Sequence, residues 1–144
     1  MNLLEFHPEM VLRVITALLL GALLGYERER TGKPAGVRTH GMVCIGAALF
    51  TVISIYGFGV STDTSRVAAQ IVTGIGFIGA GAILRNQGNV QGLTTAASLW
   101  VTAAIGLAVG TGMIALAVIT TLLVFLLLRY GPRPGPKTTD EHSE

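Results

Sequence analysis

No acidic residue occurs between Asp63 and Asp140, a span of more than half the chain. Charged residues make up only 12% of the 144, against about a quarter in an ordinary soluble domain. One cysteine, Cys44, excludes an intrachain disulfide and a cysteine-rich metal site; it sits in an apolar run and reads as a small packing residue. The ten Lys and Arg residues are scattered at the ends of apolar runs and leave a formal charge of +2. A pI near 9.0 is therefore no nucleic-acid signal, because a nucleic-acid binder needs its basic residues gathered on one face. Nucleophile-and-base pairs, paired acids and metal-ligand clusters are also missing from the pattern, so nothing points to an enzyme. What is present is hydrophobic: 51% of residues, with a mean hydropathy of +0.64. This is a membrane composition.

Five apolar runs stand out, at about 10–26, 39–57, 66–84, 94–109 and 112–130. A helix needs about 20 residues to cross the hydrocarbon core, with about 17 as the lower limit. The second, third and fifth runs meet that length, the first is at the limit, and the fourth is shortest. The expectation is an all-α bundle of five transmembrane helices over residues 1–130, followed by a disordered tail at 131–144 rich in Pro, Gly and charge. Arg28, Arg30, Lys33, Arg38, Arg85, Arg129, Arg133 and Lys137 then share one side, and only Arg13 and Arg66 the other. The positive-inside rule puts the N-terminus outside and the tail in the cytoplasm. The leading MNLLEFHPE lacks Lys and Arg, which argues against a cleaved signal peptide. Pro8 suits a first helical turn, and Glu9 and Arg13 are spaced as an i,i+4 pair.

The stretch GIGFIGAGAILRNQGNVQGLTTAASLW carries six glycines. Its G-x-G-x-x-G spacing suggests a dinucleotide turn, but that turn follows a strand and needs an acid about twenty residues on. Neither condition holds. In membrane helices glycine lets backbones approach closely. Gly74, Gly76, Gly79 and Gly81 are read in that way, as are Gly21-x-x-x-Gly25 and Gly106-x-x-x-Gly110. A broken helix lining a transport site is the sharper alternative. RNQGNVQG, which contains Asn86, reads as a polar connection, and Thr94 or Thr95 as the cap of the next helix. Trp100 lies too deep for an interfacial residue and reads as a packing anchor.

The segments GALLGYERE, AGVRTH, DTSRVAAQIVTGIGFIGAGAIL and GLTTAASLWVTAAIGLAVGTG, in this order, resemble the MgtC/SapB family of bacterial inner-membrane proteins over about residues 10–130. The resemblance implies a five-helix membrane domain with its N-terminus outside and a link to growth in low magnesium. In some relatives it implies survival in phagocytes and action on other membrane proteins, notably restraint of the ATP synthase. Better-known members of that family carry a cytoplasmic ACT-like domain after the last helix. Only about fourteen residues follow Tyr130 here, so a short form without that regulation is expected. Some members carry Asn where this chain has Thr94.

Magnesium is held through one or two carboxylates, yet none lies inside an apolar run. Glu27, Glu29 and Asp63 each have an arginine close by, which argues against a dedicated magnesium path and leaves Asp63 as a weak outer metal candidate. Glu27, Arg28 and Arg38 lie in family motifs. A Glu27–Arg38 pair between the first two helices is expected; alternatively Arg28 and Arg38 hold an anionic lipid head group. Arg66, Gln70 and Thr73 form a polar stripe entering the third helix, and a buried Gln70 amide would need a partner. His40 reads as interfacial. The combined expectation is a non-enzymatic membrane protein with no cofactor, magnesium being the one candidate, contacting lipids and membrane proteins, with a homodimer as an open alternative, but not nucleic acid. It modulates membrane partners under magnesium limitation; the alternatives are a small cation transporter or channel and an anionic-lipid binder.

Overall fold

The computed structural model describes residues 7–58, 63–86 and 89–132. Among the described residues are five helices: α1 (Pro8–Arg30), α2 (Val37–Tyr56), α3 (Ser65–Gly81), α4 (Leu93–Thr111) and α5 (Ile114–Tyr130). Between α3 and α4 lies an antiparallel hairpin of β1 (Leu84–Asn86) and β2 (Asn89–Gln91), with Arg85 opposite Val90. The disordered tail expected at 131–144 lies outside the described residues except for its first two positions.

The expectation of five transmembrane helices is corrected. Among the described residues three helices, α1, α2 and α4, are long and apolar enough to cross a membrane by length and composition. The two runs expected to be shortest became long helices, and two expected to be long enough became 17-residue ones. At 1.5 Å per residue, 17 residues rise about 26 Å, short of a hydrocarbon core about 30 Å thick. The physical reasons are local. The third run loses its end because the chain leaves the helix at Ala82 and enters β1 at Leu84. The fifth run loses its start because Gly112 adopts φ 91° as the left-handed C-cap of α4 and Met113 completes the turn. Conversely, Glu27–Arg30 stay helical at the end of α1, where the Thr31 hydroxyl donates to the Glu27 carbonyl at 2.9 Å. The assignment of inside and outside falls with the count of spans.

Helix α4 is the hub and packs against α1, α2, α3 and α5. Its closest approach is to α2, where Gly106 and Gly110 lie. A Cβ at Gly106 would strike the Cys44 carbonyl, and one at Gly110 would meet Thr51 and the Ala48 carbonyl. Gly21 and Gly25 likewise seat α1 against the backbone at His40 and Gly36 of the α2 end. The core is accordingly built of small residues around a few large ones: Ala17, Leu24, Cys44, Ala48, Ile105, Val109 and Ala117 form one buried cluster. Ala47, Ile75, Leu99 and Ala103 form another beside it.

Helix α3 departs from expectation. It buries only Ile75 and Gly79, and added Cβ atoms at Gly74, Gly76 and Gly81 would meet nothing within 4 Å. These glycines do not mediate packing inside the chain; Gly79 alone touches α4, near Ala96. Trp100 is half exposed on α4 rather than a packing anchor.

Candidate functional site

Two polar features lie at opposite ends of the bundle. The first is a buried cluster where the end of α1 meets the starts of α2 and α4. Glu27, Arg28, His40, Thr95 and Ser98 are each at most 6% exposed. The Arg28 Nη2 donates to Thr95 Oγ1 at 2.6 Å. Ser98 Oγ lies 2.8 Å from the Thr95 carbonyl and 3.1 Å from His40 Nε2. On its other side His40 Nδ1 lies 3.1 Å from the Gly36 carbonyl, to which it must donate. A neutral ring then accepts at Nε2. The Ser98 hydroxyl has one hydrogen for two acceptors, so only one of its two contacts is made at a time while the ring stays neutral. The chain Arg28–Thr95–Ser98–His40 thus joins three helices through polar groups, and Arg28 Nε is buried with no partner among the described residues.

The expected Glu27–Arg38 pair is not formed. The buried Glu27 carboxylate pairs with Arg129 of α5 at 3.4 Å and more weakly with Arg30 at 3.9 Å, while Arg38 is exposed. The Glu29 carboxylate caps the start of α2 by accepting from Val37 N at 3.1 Å. Neither threonine caps α4 through its side chain. Its N-cap is Gly92 at φ 87°, where a Cβ would collide with the Ala82 carbonyl. Thr94 is exposed, and the side chain of Asn86 lies outside the described residues.

The second feature is a groove of about 780 Å³ between α2 and α3, with Asp63, Arg66, Gln70 and Ser54 among its lining residues. Three of the expected polar residues therefore come together here, but Thr73 does not line the groove, and its hydroxyl donates back to the Ala69 carbonyl. Gln70 is exposed rather than buried. Asp63 Oδ1 accepts from Ser65 Oγ at 2.6 Å and Ser65 N at 2.9 Å, which holds its carboxyl below the usual carboxylate range, with Arg66 adding to the effect. Arg13, the other cation at this end, does not pair with Glu9. It donates to the Gly110 carbonyl at 2.8 Å and lies 5.6 Å from the centre of the Tyr56 ring.

His40, Ser98 and Arg129 were missed as partners by the sequence reading. One signal was available: Thr95, Ser98 and Thr102 recur at i, i+3 and i+7, a hydroxyl stripe on one face of α4. Arg129 meets Glu27 across a separation of 102 residues, which no local pattern marks. Among the described residues no three of His, Cys, Asp and Glu are grouped so as to hold a metal ion.

An apolar bundle with long hydrophobic helices closed around a buried polar cluster at Arg28 defines a multi-pass membrane protein. The MgtC family model matches residues 14–133, and the chain belongs to that family, a multi-pass class of the bacterial inner membrane. It is 50% identical over 108 residues to Protein MgtC of Brucella abortus (strain 2308), covering 75% of this chain and 45% of that one. It is 46% identical over 123 residues to Protein MgtC of Salmonella typhimurium, covering 83% and 52%. YhiD of Escherichia coli (strain K12), described as a candidate magnesium transporter, is 47% identical over 127 residues, covering 83% and 59%. The chain thus spans about half the length of the curated relatives it matches. No solved structure matches it significantly.

Proposed function

We propose that this chain is a non-catalytic inner-membrane protein that supports growth under magnesium limitation by acting on other membrane proteins, the proton-driven ATP synthase being the partner class the family resemblance suggests. One observation carries the reading: the placement of the carboxylates. Glu27 is held by two arginines, Glu29 is spent on the start of α2, and Asp63 is bound to Ser65 at the surface. The remaining described acid, Glu9, is exposed at the first turn of α1. A magnesium path needs oxygen ligands able to replace part of the ion's water shell, and among the described residues no acid is placed within a helix interior to do so. A link to magnesium is then indirect, and the same reading extends to the survival roles of relatives in hosts.

A transporter is the second reading, favoured by the description of YhiD and by the Asp63 mouth of the groove. Magnesium flux into sealed proteoliposomes containing only this protein separates the two. The modulator reading expects no uptake above empty vesicles, together with restored low-magnesium growth when the gene is returned to a deletion strain. Uptake that disappears in Asp63→Asn would sink it.

A further inference from the structure

The groove between α2 and α3 has walls graded in step. On α3 it is lined by Arg66, Gln70, Gly74 and Ile78, four residues apart on one face. On α2 it is lined by Ser54, Phe50, Gly46 and Met42, again four apart. Ser54 Oγ donates to the Thr64 carbonyl at 3.1 Å, which brings the polar ends of both walls together. Each wall therefore starts polar, passes a glycine and ends apolar. At Gly46 and Gly74 an added Cβ would meet nothing within 4 Å, so the middle of the groove is open space. From Arg66 to Ile78 the helix rises about 18 Å. That is a little more than half of a ~30 Å hydrocarbon core, the depth that one acyl chain covers.

The mouth is dipolar. Arg66 makes no ion pair among the described residues. Asp63 uses only Oδ1, in its bonds to Ser65, leaving its other oxygen without a hydrogen bond among the described residues. A guanidinium and a carboxylate at one mouth match a phosphate joined to an ammonium group.

We propose that this groove holds one acyl chain of a bilayer phospholipid bearing a zwitterionic amine head group, with the phosphate on Arg66, the ammonium on Asp63 and the chain running past Gly74 and Gly46. The polar mouth lies at the end of the bundle away from the Arg28 cluster, and the lipid proposal does not rest on the modulator reading.

Native mass spectrometry of the full-length protein in detergent, titrated with phosphatidylethanolamine or phosphatidylglycerol, tests it. One phosphatidylethanolamine per chain is expected, retained over phosphatidylglycerol. Arg66→Gln is expected to weaken retention by roughly tenfold, the scale of one hydrogen bond to a charged group. Asp63→Asn is expected to remove the preference between the two lipids. Gly74→Leu fills the open middle and is expected to abolish retention, whereas Gly76→Leu, equally open but outside the groove, leaves it unchanged and controls for folding. Retention that survives Gly74→Leu, or that is equal for both lipids in the unsubstituted protein, overturns the proposal. So does a dimer that forms without lipid and is lost in Gly74→Leu, which would assign the groove to a second copy of the chain.

Discussion

Replacing Thr95 by valine isolates the contact that joins α1 to α4. The two side chains have nearly the same shape and both are β-branched, so packing and helix propensity change little. What is lost is the hydroxyl that accepts from Arg28 Nη2 at 2.6 Å. Arg28 is 6% exposed and its Nε has no hydrogen-bond partner among the described residues, so losing the Thr95 hydroxyl strands a second donor of the same buried group. Hydrogen bonds to charged groups contribute about 1.5–3 kcal/mol, and stranding a buried donor costs its full desolvation penalty. Thr95→Val is therefore expected to destabilise the fold by about 1.5–3 kcal/mol, or roughly ten- to over a hundredfold in the unfolding constant. Thr94→Val, one position away and exposed, is the matched control, expected within about 0.5 kcal/mol of the parent. Reversible unfolding in mixed detergent micelles, followed by the fluorescence of the single Trp100, measures both. The double variant Arg28→Met with Thr95→Val is expected to recover part of the loss, because removing a buried charge together with its partner is often close to neutral. Equal stability of Thr95→Val and Thr94→Val would refute the reasoning and show that Arg28 is solvated or bound elsewhere in the membrane.

Three further outcomes are expected. Gly106→Ala drives a methyl group into the Cys44 carbonyl and should cost about 1–3 kcal/mol by overpacking, while Gly76→Ala, with open space around it, should be neutral or stabilising by about 0.5–1 kcal/mol; thermal unfolding of the two purified variants compares them. Gly92→Ala meets both a positive φ of 87° and the Ala82 carbonyl, and should lower the melting temperature clearly more than Gly32→Ala, which is strained in φ but sterically open. The Asp63 carboxyl is depressed by its bonds to Ser65, so its contribution is present above the ordinary carboxylate pKa and is lost as pH falls through the depressed one; melting curves from pH 7 to 3 should show an acid-side decline that is smaller in Asp63→Asn.

The apolar runs made all five helices legible in the sequence, and the small-xxx-small spacing marked Gly21, Gly25, Gly106 and Gly110 as close contacts. Helix lengths were not legible, because they depend on where the chain turns. Gly112 looked like the start of an apolar run, yet its left-handed φ ends α4 instead. The glycines of α3 follow the same spacing as the others and face open space, since spacing places residues on a face without saying what lies opposite. Glu27 and Arg28 were legible as residues in need of partners. Their partners, Arg129 and Thr95, are remote in sequence, and the nearer Arg38 was the natural but mistaken choice. His40 looked interfacial because it follows a polar connection, and only the α4 hydroxyls explain its burial.

The central position of α4 also bears on how the molecule is made. Its 19 residues begin only at Leu93, so about two-thirds of the chain leaves the ribosome before the helix that contacts all the others. Until then Arg28 and His40 have no Thr95 or Ser98 to meet, and Gly21 and Gly25 join α1 to α2 alone. The three helices before it are therefore unfinished until α4 is made. Assembly is late: Arg28 and His40 gain their partners only with α4, and Glu27 gains Arg129 only when α5 follows.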